Sequence, residues 1–233
     1  MQAEDRPIHF STELIHPPKR HEKTALQRLY FELSQTRGAA YDSTDFTPPG
    51  PPKFYSKRGK KSQSLALFLP DRFVIVEEWC DMSLAEFLDK TESVADRVIA
   101  ELGIGPIAIQ TATIRTTFAL THFDDARAFL LDRACCQTGR IAPHFNRPIL
   151  VGGLRFVLPE TPEHPGTLHV TIESFQKSLN EVYVEVKGIF PNQRIDRTGL
   201  ATLRSNMLSV RAFISDSVYP FLDQYDSPEE GLV

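Results

Sequence analysis

The sequence predicts an α+β protein made of two similar halves, each with the element order β-α-β-β-β-α. Strand-type and helix-type hydrophobic periodicity alternate in the same order over residues 7–104 and over residues 106–225. Short connections between the three consecutive strands favour antiparallel pairing, and one-sided apolar helices favour packing on one face of each sheet. We therefore expect an N-terminal half at residues 1–105 and a C-terminal half at residues 106–233, which can also form one composite domain.

The first half begins with a strand and a helix. Apolar and polar residues alternate from Ile8 to Leu14, which is the period of a half-buried strand, and Pro17 and Pro18 end this strand. A stripe at i, i+3, i+4 and i+7 predicts a helix over residues 20–35: Leu26, Leu29, Tyr30 and Leu33. The three following strands are predicted at Tyr41–Phe46, Leu65–Leu69 and Phe73–Trp79.

The helix that closes the first half has the clearest pattern in the chain. Ser83 and Glu86 match the capping box S-x-x-E, and Gly103 stands where a C-terminal glycine is expected. The apolar stripe between them consists of Leu84, Phe87, Leu88, Thr91, Val94, Ala95, Val98, Ile99 and Leu102. We expect this stripe to be buried against the sheet that contains Phe73–Trp79.

The second half repeats the order with longer strands. A β-prone run from Ile107 to Leu120 precedes a helical pattern over Phe123–Cys135. Three strands are predicted at Leu154–Leu158, Leu168–Phe175 and Val182–Phe190. Thr198 is a suitable cap for the last helix, whose apolar face consists of Leu203, Met207, Val210, Phe213, Ile214, Val218 and Phe221.

Composition limits the classes of function. The 233 residues carry a formal net charge of −4, which is unsuited to a phosphate-binding surface spread over the whole molecule. The cysteines, two of them adjacent at Cys135 and Cys136, form no disulfide framework, and free thiols indicate a reducing, cytoplasmic setting. Because the apolar stretches are of strand length and the N-terminus has no signal-peptide run, we expect no membrane association.

Four segments carry a family resemblance: Arg6–Phe10, Phe73–Trp79, Ser83–Leu102 and Thr113–Phe118. In these segments the chain resembles a sporadically distributed bacterial family of similar length and unknown function. The aromatic and asparagine residues expected after an arginine such as Arg115 are absent from this chain. The resemblance implies an accessory or interaction module, often encoded beside mobile or defence genes, without an assigned active site.

A cluster of positive charge stands out in this otherwise acidic chain. It lies between a proline-rich stretch and a predicted strand, so we expect it to project from a hairpin tip. A solvated loop is the simpler interpretation, and the functional one is contact with an acidic protein surface or with phosphates. The candidate partner-binding residues are Lys57, Arg58, Lys60 and Lys61.

Glu185 and Lys187 offer an alternative catalytic site. The spacing E-x-K places both side chains on one face of a strand. In Mg²⁺-dependent nucleases with this element, the acid binds the metal and the lysine polarises the attacking water. The same spacing also suits a solvated polar face, because Val182, Val184 and Val186 point the other way.

The histidines show none of the compact spacings of a metal site, although His16 and His21 flank a proline turn and can meet in space. The sequence therefore predicts no metal and no cofactor. The favoured hypothesis is a non-enzymatic interaction protein that docks a protein partner. The basic segment is the one place where the sequence allows contact with nucleic acid. The alternatives are a Mg²⁺-dependent nuclease or hydrolase and a small apolar-ligand-binding protein. The sequence also allows a homo-oligomer.

Overall fold

The structure is a computed structural model that describes residues 7–58, 62–79, 81–137 and 140–227. One antiparallel sheet has the strand order β2-β3-β4-β5-β1-β6-β9-β8-β7. Its strands are β1 His9–Ile15, β2 Ser43–Asp45, β3 Lys53–Arg58, β4 Ser62–Leu69, β5 Arg72–Glu78, β6 Ile109–Ala119, β7 Gly153–Leu158, β8 Thr167–Ser174 and β9 Glu181–Phe190.

Helices cover this sheet, which confirms the predicted α+β class. They are α1 Lys23–Ser34, α2 Leu84–Leu102, α3 Ala126–Ala128 with a π-helical continuation at Phe129–Ala134, α4 Ala142–Phe145, α5 Ala201–Phe213 with a π-helical continuation at Ile214–Val218, and α6 Tyr219–Tyr225. Within the described ranges, none of these helices has the length and apolar character needed to cross a membrane.

The two predicted halves share one sheet. β1 pairs with β5 on one side and with β6 on the other, so that Thr12 has Ile75 and Ala112 as its cross-strand neighbours. The strands that precede residue 105 lie on one side of the β1–β6 pairing, and the strands that follow residue 106 lie on the other.

The helices α1, α2 and α5 lie on one face of the sheet. Their contacts are Tyr30 with Phe54 (ring centres 5.3 Å apart), Phe87 with Phe10 (5.5 Å), and Asn206 hydrogen-bonded to Gln110 (2.8 Å). The strand residues in these contacts belong to the same face by register. Alternate residues such as Ser11, Val76 and Lys187 point the other way and are half-buried, and we call that side the second face.

The prediction for α2 is confirmed at both ends and along its length. Ser83 Oγ accepts the backbone N–H of Glu86 at 3.2 Å, and the Glu86 carboxylate accepts the backbone N–H of Ser83 at 2.7 Å. Gly103 ends the helix in the left-handed conformation, with φ of 54°, which glycine adopts without steric cost. The buried stripe consists of Phe87, Leu88, Thr91, Val94, Ala95, Val98 and Leu102, with Leu84 and Ile99 half-buried.

β3 is a strand that the sequence interpretation missed. Residues Lys53–Arg58 pair antiparallel with β4, so Lys57 and Arg58 end a strand, whereas the sequence placed them in a hairpin tip. Proline precedes β3 and only Phe54 and Tyr55 give it an apolar signal, which is too short to reveal the period of a strand. The first half therefore contains one strand more than its predicted order.

The helices of the second half also differ from their predicted form. The helix predicted at Phe123–Cys135 begins at Ala126 and is mostly π-helical. The last helix has Leu200 as its N-cap, not Thr198. The reason is local, because the Thr198 hydroxyl donates to Asp196 Oδ1 at 2.6 Å in the preceding turn.

Candidate functional site

The edge strand β7 exposes apolar side chains on both of its faces. It is the last strand of the sheet and, among the described strands, pairs with β8 alone. Phe156 is 41% exposed, Val157 55% and Leu158 38%. Successive side chains of a strand point to opposite faces, so this edge is apolar on each side. An exposed apolar edge is a place where another chain can pair.

The outer edge of β7 also has unpaired backbone groups. Ser174 donates its backbone N–H to the Gly152 carbonyl at 2.9 Å, which makes these two residues a hydrogen-bonded pair. Such pairs alternate along an antiparallel ladder, so Phe156 bonds to β8, while the N–H and C=O groups of Arg155 and Val157 point away from the sheet. An added strand would find a row of donors and acceptors there.

Exposed apolar side chains are concentrated in the stretch of chain that ends in this strand. Eight large apolar side chains are well exposed in the described part of the chain, and five of them come from residues 145–158. These five, which we call the β7 patch, are Phe145, Leu150, Phe156, Val157 and Leu158. Scattered exposed apolar residues are normal on a protein surface, whereas a concentration of them marks an interaction site.

Positive charge borders the β7 patch on the second face. Lys187 on β9 lies opposite His169 on β8, which in turn lies opposite Val157 on β7. Arg155 is exposed two residues before Val157. Among the described residues, no carboxylate lies within ion-pair distance of Lys187 or Arg155. Glu173 on β8 and Glu185 on β9 lie on the same face, so Arg155 is the exposed positive charge at the outer edge of a face that carries both signs.

The alternative catalytic residues both lie on the second face, where Glu185 is already engaged. Its Oε2 accepts a hydrogen bond from Arg115 Nε at 2.6 Å and another from the Tyr183 hydroxyl at 3.0 Å. Burial, together with the charge of Glu185, raises the pKa of Tyr183, so this hydroxyl keeps its proton. In the described ranges, no group of three His, Cys, Asp or Glu residues is placed to hold a metal ion. The pairing of Glu185 with Lys187 in catalysis stays a prediction.

Two buried histidines lie at the two ends of β1. His9 Nδ1 is 2.8 Å from the Glu78 carboxylate, and its Nε2 is 2.8 Å from Ser11 Oγ. Burial, followed by the charge of Arg115, lowers the pKa of His9, although Glu78 opposes this change. Burial also lowers the pKa of His16. Both imidazoles are therefore neutral at physiological pH.

We expect the free energy of unfolding to fall as the pH is lowered through 6.5, the ordinary pKa of histidine. The unfolded chain binds protons at His9 and His16 in that range, whereas the folded chain resists them until a lower pH. Because the unfolded state binds more protons, stability rises with pH through this window and levels off above it. Urea unfolding between about pH 5 and 7.5 measures the slope.

A variant comparison assigns this pH dependence. His16→Gln should reduce the slope, because it removes one of the two groups that titrate differently in the two states. His164 is exposed, so His164→Gln should leave the slope unchanged. An equal slope in all three proteins would mean that other groups cause the acid sensitivity.

The basic segment lies toward the opposite end of the sheet from β7. Lys57 and Arg58 are exposed at the end of β3, and Arg58 Nη1 is 3.1 Å from Asp81 Oδ1. Lys60 and Lys61 lie outside the described residues. Partner binding by this segment stays a prediction, and any such contact would be separate from the β7 patch.

A buried polar cluster in the helix layer was missed by the sequence interpretation. Lys90 Nζ lies 2.8 Å from Glu77 Oε1 and also donates to Ser64 Oγ, while Ser64 donates to the same carboxylate at 2.6 Å. The ammonium also lies 4.3 Å from the centre of the Tyr41 ring. The available signal was a lysine inside the apolar stripe of α2, three residues after Phe87. Because the cluster is closed to solvent, its effect is on stability.

No protein-family model matches the chain, and no curated protein matches it. The functional conclusion therefore depends on the geometry of the molecule itself.

Proposed function

We propose that this chain is a non-enzymatic interaction module that docks an extended segment of a partner protein as an additional strand beside β7. The observation that carries this proposal is the concentration of exposed apolar side chains at a free strand edge, with Phe156, Val157 and Leu158 in succession. Strand addition draws its affinity from main-chain hydrogen bonds and its specificity from alternate side chains. The backbone groups of Arg155 and Val157 supply the main-chain hydrogen bonds, and the side chains of the β7 patch supply the specificity.

The chemistry of the edge defines the segment that fits it. Leu154, Phe156 and Leu158 share the helix-side face of β7, so the partner strand should place apolar side chains there. Arg155 is exposed on the second face at the outer edge, and the partner should place an acidic side chain opposite it. The proposed occupant is a segment in which apolar and acidic residues alternate.

Charge favours such a partner over a second copy of this chain. A second β7 would bring another Arg155 to the same edge, and like charges that face each other across strands are destabilising. An acidic segment would instead neutralise side chains that have no ion-pair partner among the described residues. A homodimer through β7 is therefore an outcome that the experiment must distinguish.

We also propose that the two halves are copies of one plan. In each half the opening strand pairs with the strand that precedes the long helix, as β1 does with β5 and β6 does with β9. The opening strands β1 and β6 are antiparallel neighbours at the centre of the sheet.

The sheet has two outer edges, at β2 and at β7. The edge strand β2 is only three residues long, and such a short strand is a poor site for pairing with another chain. The resemblance to bacterial accessory modules supports the same class of function.

A synthetic peptide of about ten residues with valine and glutamate in alternation should bind the chain and protect the backbone amides of Arg155 and Val157 from hydrogen exchange. Val157→Pro should abolish this binding, because it removes an outward N–H without removing a bond to β8. Leu208 is exposed on α5, and Leu208→Glu should bind as the parent does. Binding is measured by calorimetry, and protection by mass spectrometry.

Several outcomes would contradict the β7 proposal. Equal binding by Val157→Pro and the parent would place the peptide elsewhere, and a loss on neutralising Lys57, Arg58, Lys60 and Lys61 would identify the basic segment instead. Dimerisation that Val157→Pro abolishes would identify a second copy as the occupant. The two alternative functions have tests of their own: Mg²⁺-dependent cleavage of labelled nucleic acid with Lys187→Ala as control, and native mass spectrometry for a retained apolar ligand.

A further inference from the structure

Three connections of the first half meet around a cavity at the end of β4. They are the segment between β1 and α1, the segment between β2 and β3, and the turn between β4 and β5. The cavity has a volume of about 400 Å³, which lies within the range of about 300–1,000 Å³ that is typical of small-molecule sites. The prolines that line it are Pro49, Pro51, Pro52 and Pro70.

Backbone hydrogen bonds hold these three connections together. Phe68 donates its backbone N–H to the Pro52 carbonyl at 2.9 Å, and Lys19 donates its backbone N–H to the Pro70 carbonyl at 2.6 Å. The proline rings add stiffness, because they fix the φ angle of the backbone. The walls of the cavity therefore have little conformational freedom to lose when a ligand binds, which lowers the free-energy cost of binding.

The surface of the cavity is mainly apolar and open to solvent. Pro49, Pro51 and Pro70 are exposed. Leu69 is half-buried, and Phe68 of the hydrophobic core completes the apolar part of the lining. Proline rings and aromatic rings are complementary surfaces, as the docking of proline-rich segments in aromatic-lined grooves shows. An aromatic ring is therefore the apolar group that fits these walls.

Arg20 gives the cavity a positive charge. It is exposed, and no carboxylate of the described residues lies within ion-pair distance of it. None of the described residues that line the cavity is an Asp or a Glu. Arginine binds a carboxylate through two parallel hydrogen bonds, and its guanidinium also stacks on aromatic rings. The lining therefore favours an organic anion.

We propose that this cavity binds a small aromatic carboxylate, with its ring against the prolines and its carboxylate on the Arg20 guanidinium. The two parts of such a ligand match the two parts of the lining, since the walls are apolar and the charged group is a cation. The cavity adjoins β4, the third strand of the sheet, whereas β7 is the last strand at the other edge. Ligand binding here is thus separate from strand docking.

The test titrates three small molecules into the full chain and follows binding by NMR. Phenylacetate should bind saturably. Phenylacetamide has the same ring without the charge, and it should bind more weakly by about tenfold or more, the effect of losing hydrogen bonds between charged groups. Cyclohexylacetate keeps the charge but has no aromatic face, and it should bind about two- to fivefold more weakly, because it cannot stack on the guanidinium.

Two arginine variants assign the carboxylate to its partner. Arg20→Gln should weaken phenylacetate binding by about tenfold or more and affect phenylacetamide far less, because only the carboxylate loses a charged partner. Since Arg20 is exposed, this variant should fold as the parent does. Arg28 is exposed on α1 and does not line the cavity, so Arg28→Gln should bind phenylacetate as the parent does.

Several results would overturn the proposal of an aromatic carboxylate. Absence of saturable phenylacetate binding, or equal binding by the parent and Arg20→Gln, would remove the site or its cation. Equal binding of phenylacetate and phenylacetamide would show that the charge is not recognised, and equal binding of cyclohexylacetate would show the same for the aromatic ring. Val157→Pro should bind phenylacetate as the parent does, so failure here is distinguishable from failure of strand docking at β7.

Discussion

Replacing Lys90 by methionine is expected to lower the free energy of unfolding by about 3–5 kcal/mol, the range observed when one partner of a buried ion pair is removed. The side chains of Lys90 and Glu77 are 1% and 3% exposed, and the nitrogen and oxygen are 2.8 Å apart. Removing the ammonium takes the charged donor from the buried Glu77 carboxylate, which keeps its hydrogen bond from the Ser64 hydroxyl. Urea unfolding of the two proteins at pH 7 measures the difference.

Two further variants separate the ion pair from ordinary packing. The double variant Lys90→Met with Glu77→Gln should recover part of the lost stability, because the buried carboxylate charge is removed together with the buried ammonium. Arg197 and Asp96 form an exposed pair on the surface at 2.6 Å, and Arg197→Met should cost far less stability than Lys90→Met, because exposed ion pairs contribute little. A loss for Lys90→Met as small as that of Arg197→Met would show that the buried pair contributes little.

Regular local patterns made a large part of this fold predictable. The stripe and caps of α2 depend on residues within one helix, and the structure confirms them from Ser83 to Gly103. The alternation of β9 was equally clear, because Val182, Val184 and Val186 are all buried. The period and the boundaries of such elements can be predicted from the residues within each element.

The missed features depend on neighbours that are distant in the chain. β3 is a strand because Phe54 packs beneath Tyr30 of α1 and because β4 supplies its hydrogen bonds. The exposure of β7 is a property of strand order, since only its position at the end of the sheet leaves Phe156 and Val157 uncovered. The hydrophobic period along a strand shows which side chains share a face. It does not show which strand lies at the edge of the sheet.

The candidate sites illustrate the same limit at the level of single side chains. His16 and His21 are five positions apart without a metal-ligand motif, and their rings are oriented by hydrogen bonds to the Pro17 and Leu69 carbonyls. Glu185 matched a catalytic spacing, yet its carboxylate is bound by Arg115 from the neighbouring strand. Chemical roles here follow from contacts across strands, which spacing along the chain does not define.

Truncating Phe87 to alanine should cost about 3–5 kcal/mol of unfolding free energy, the sum of lost transfer energy and of the cavity left behind. Phe87 has no exposed surface, and its ring centre lies 5.5 Å from that of Phe10 on β1. The side chain thus connects α2 to the central strand of the sheet, and the surrounding residues can fill its space only in part. This loss is comparable to much of the stability of an average domain.

The controls for Phe87→Ala are an exposed aromatic residue and the basic segment. Phe31 is 62% exposed on α1, and Phe31→Ala should change stability by less than about 0.5 kcal/mol. Neutralising the basic segment (Lys57, Arg58, Lys60 and Lys61) should also barely move the melting temperature, because exposed charges contribute little. If that segment docks a partner, the same change should weaken binding and its salt dependence while the fold stays intact. A large loss of stability from the basic-segment variant, or none from Phe87→Ala, would mean that core and surface have been assigned in reverse.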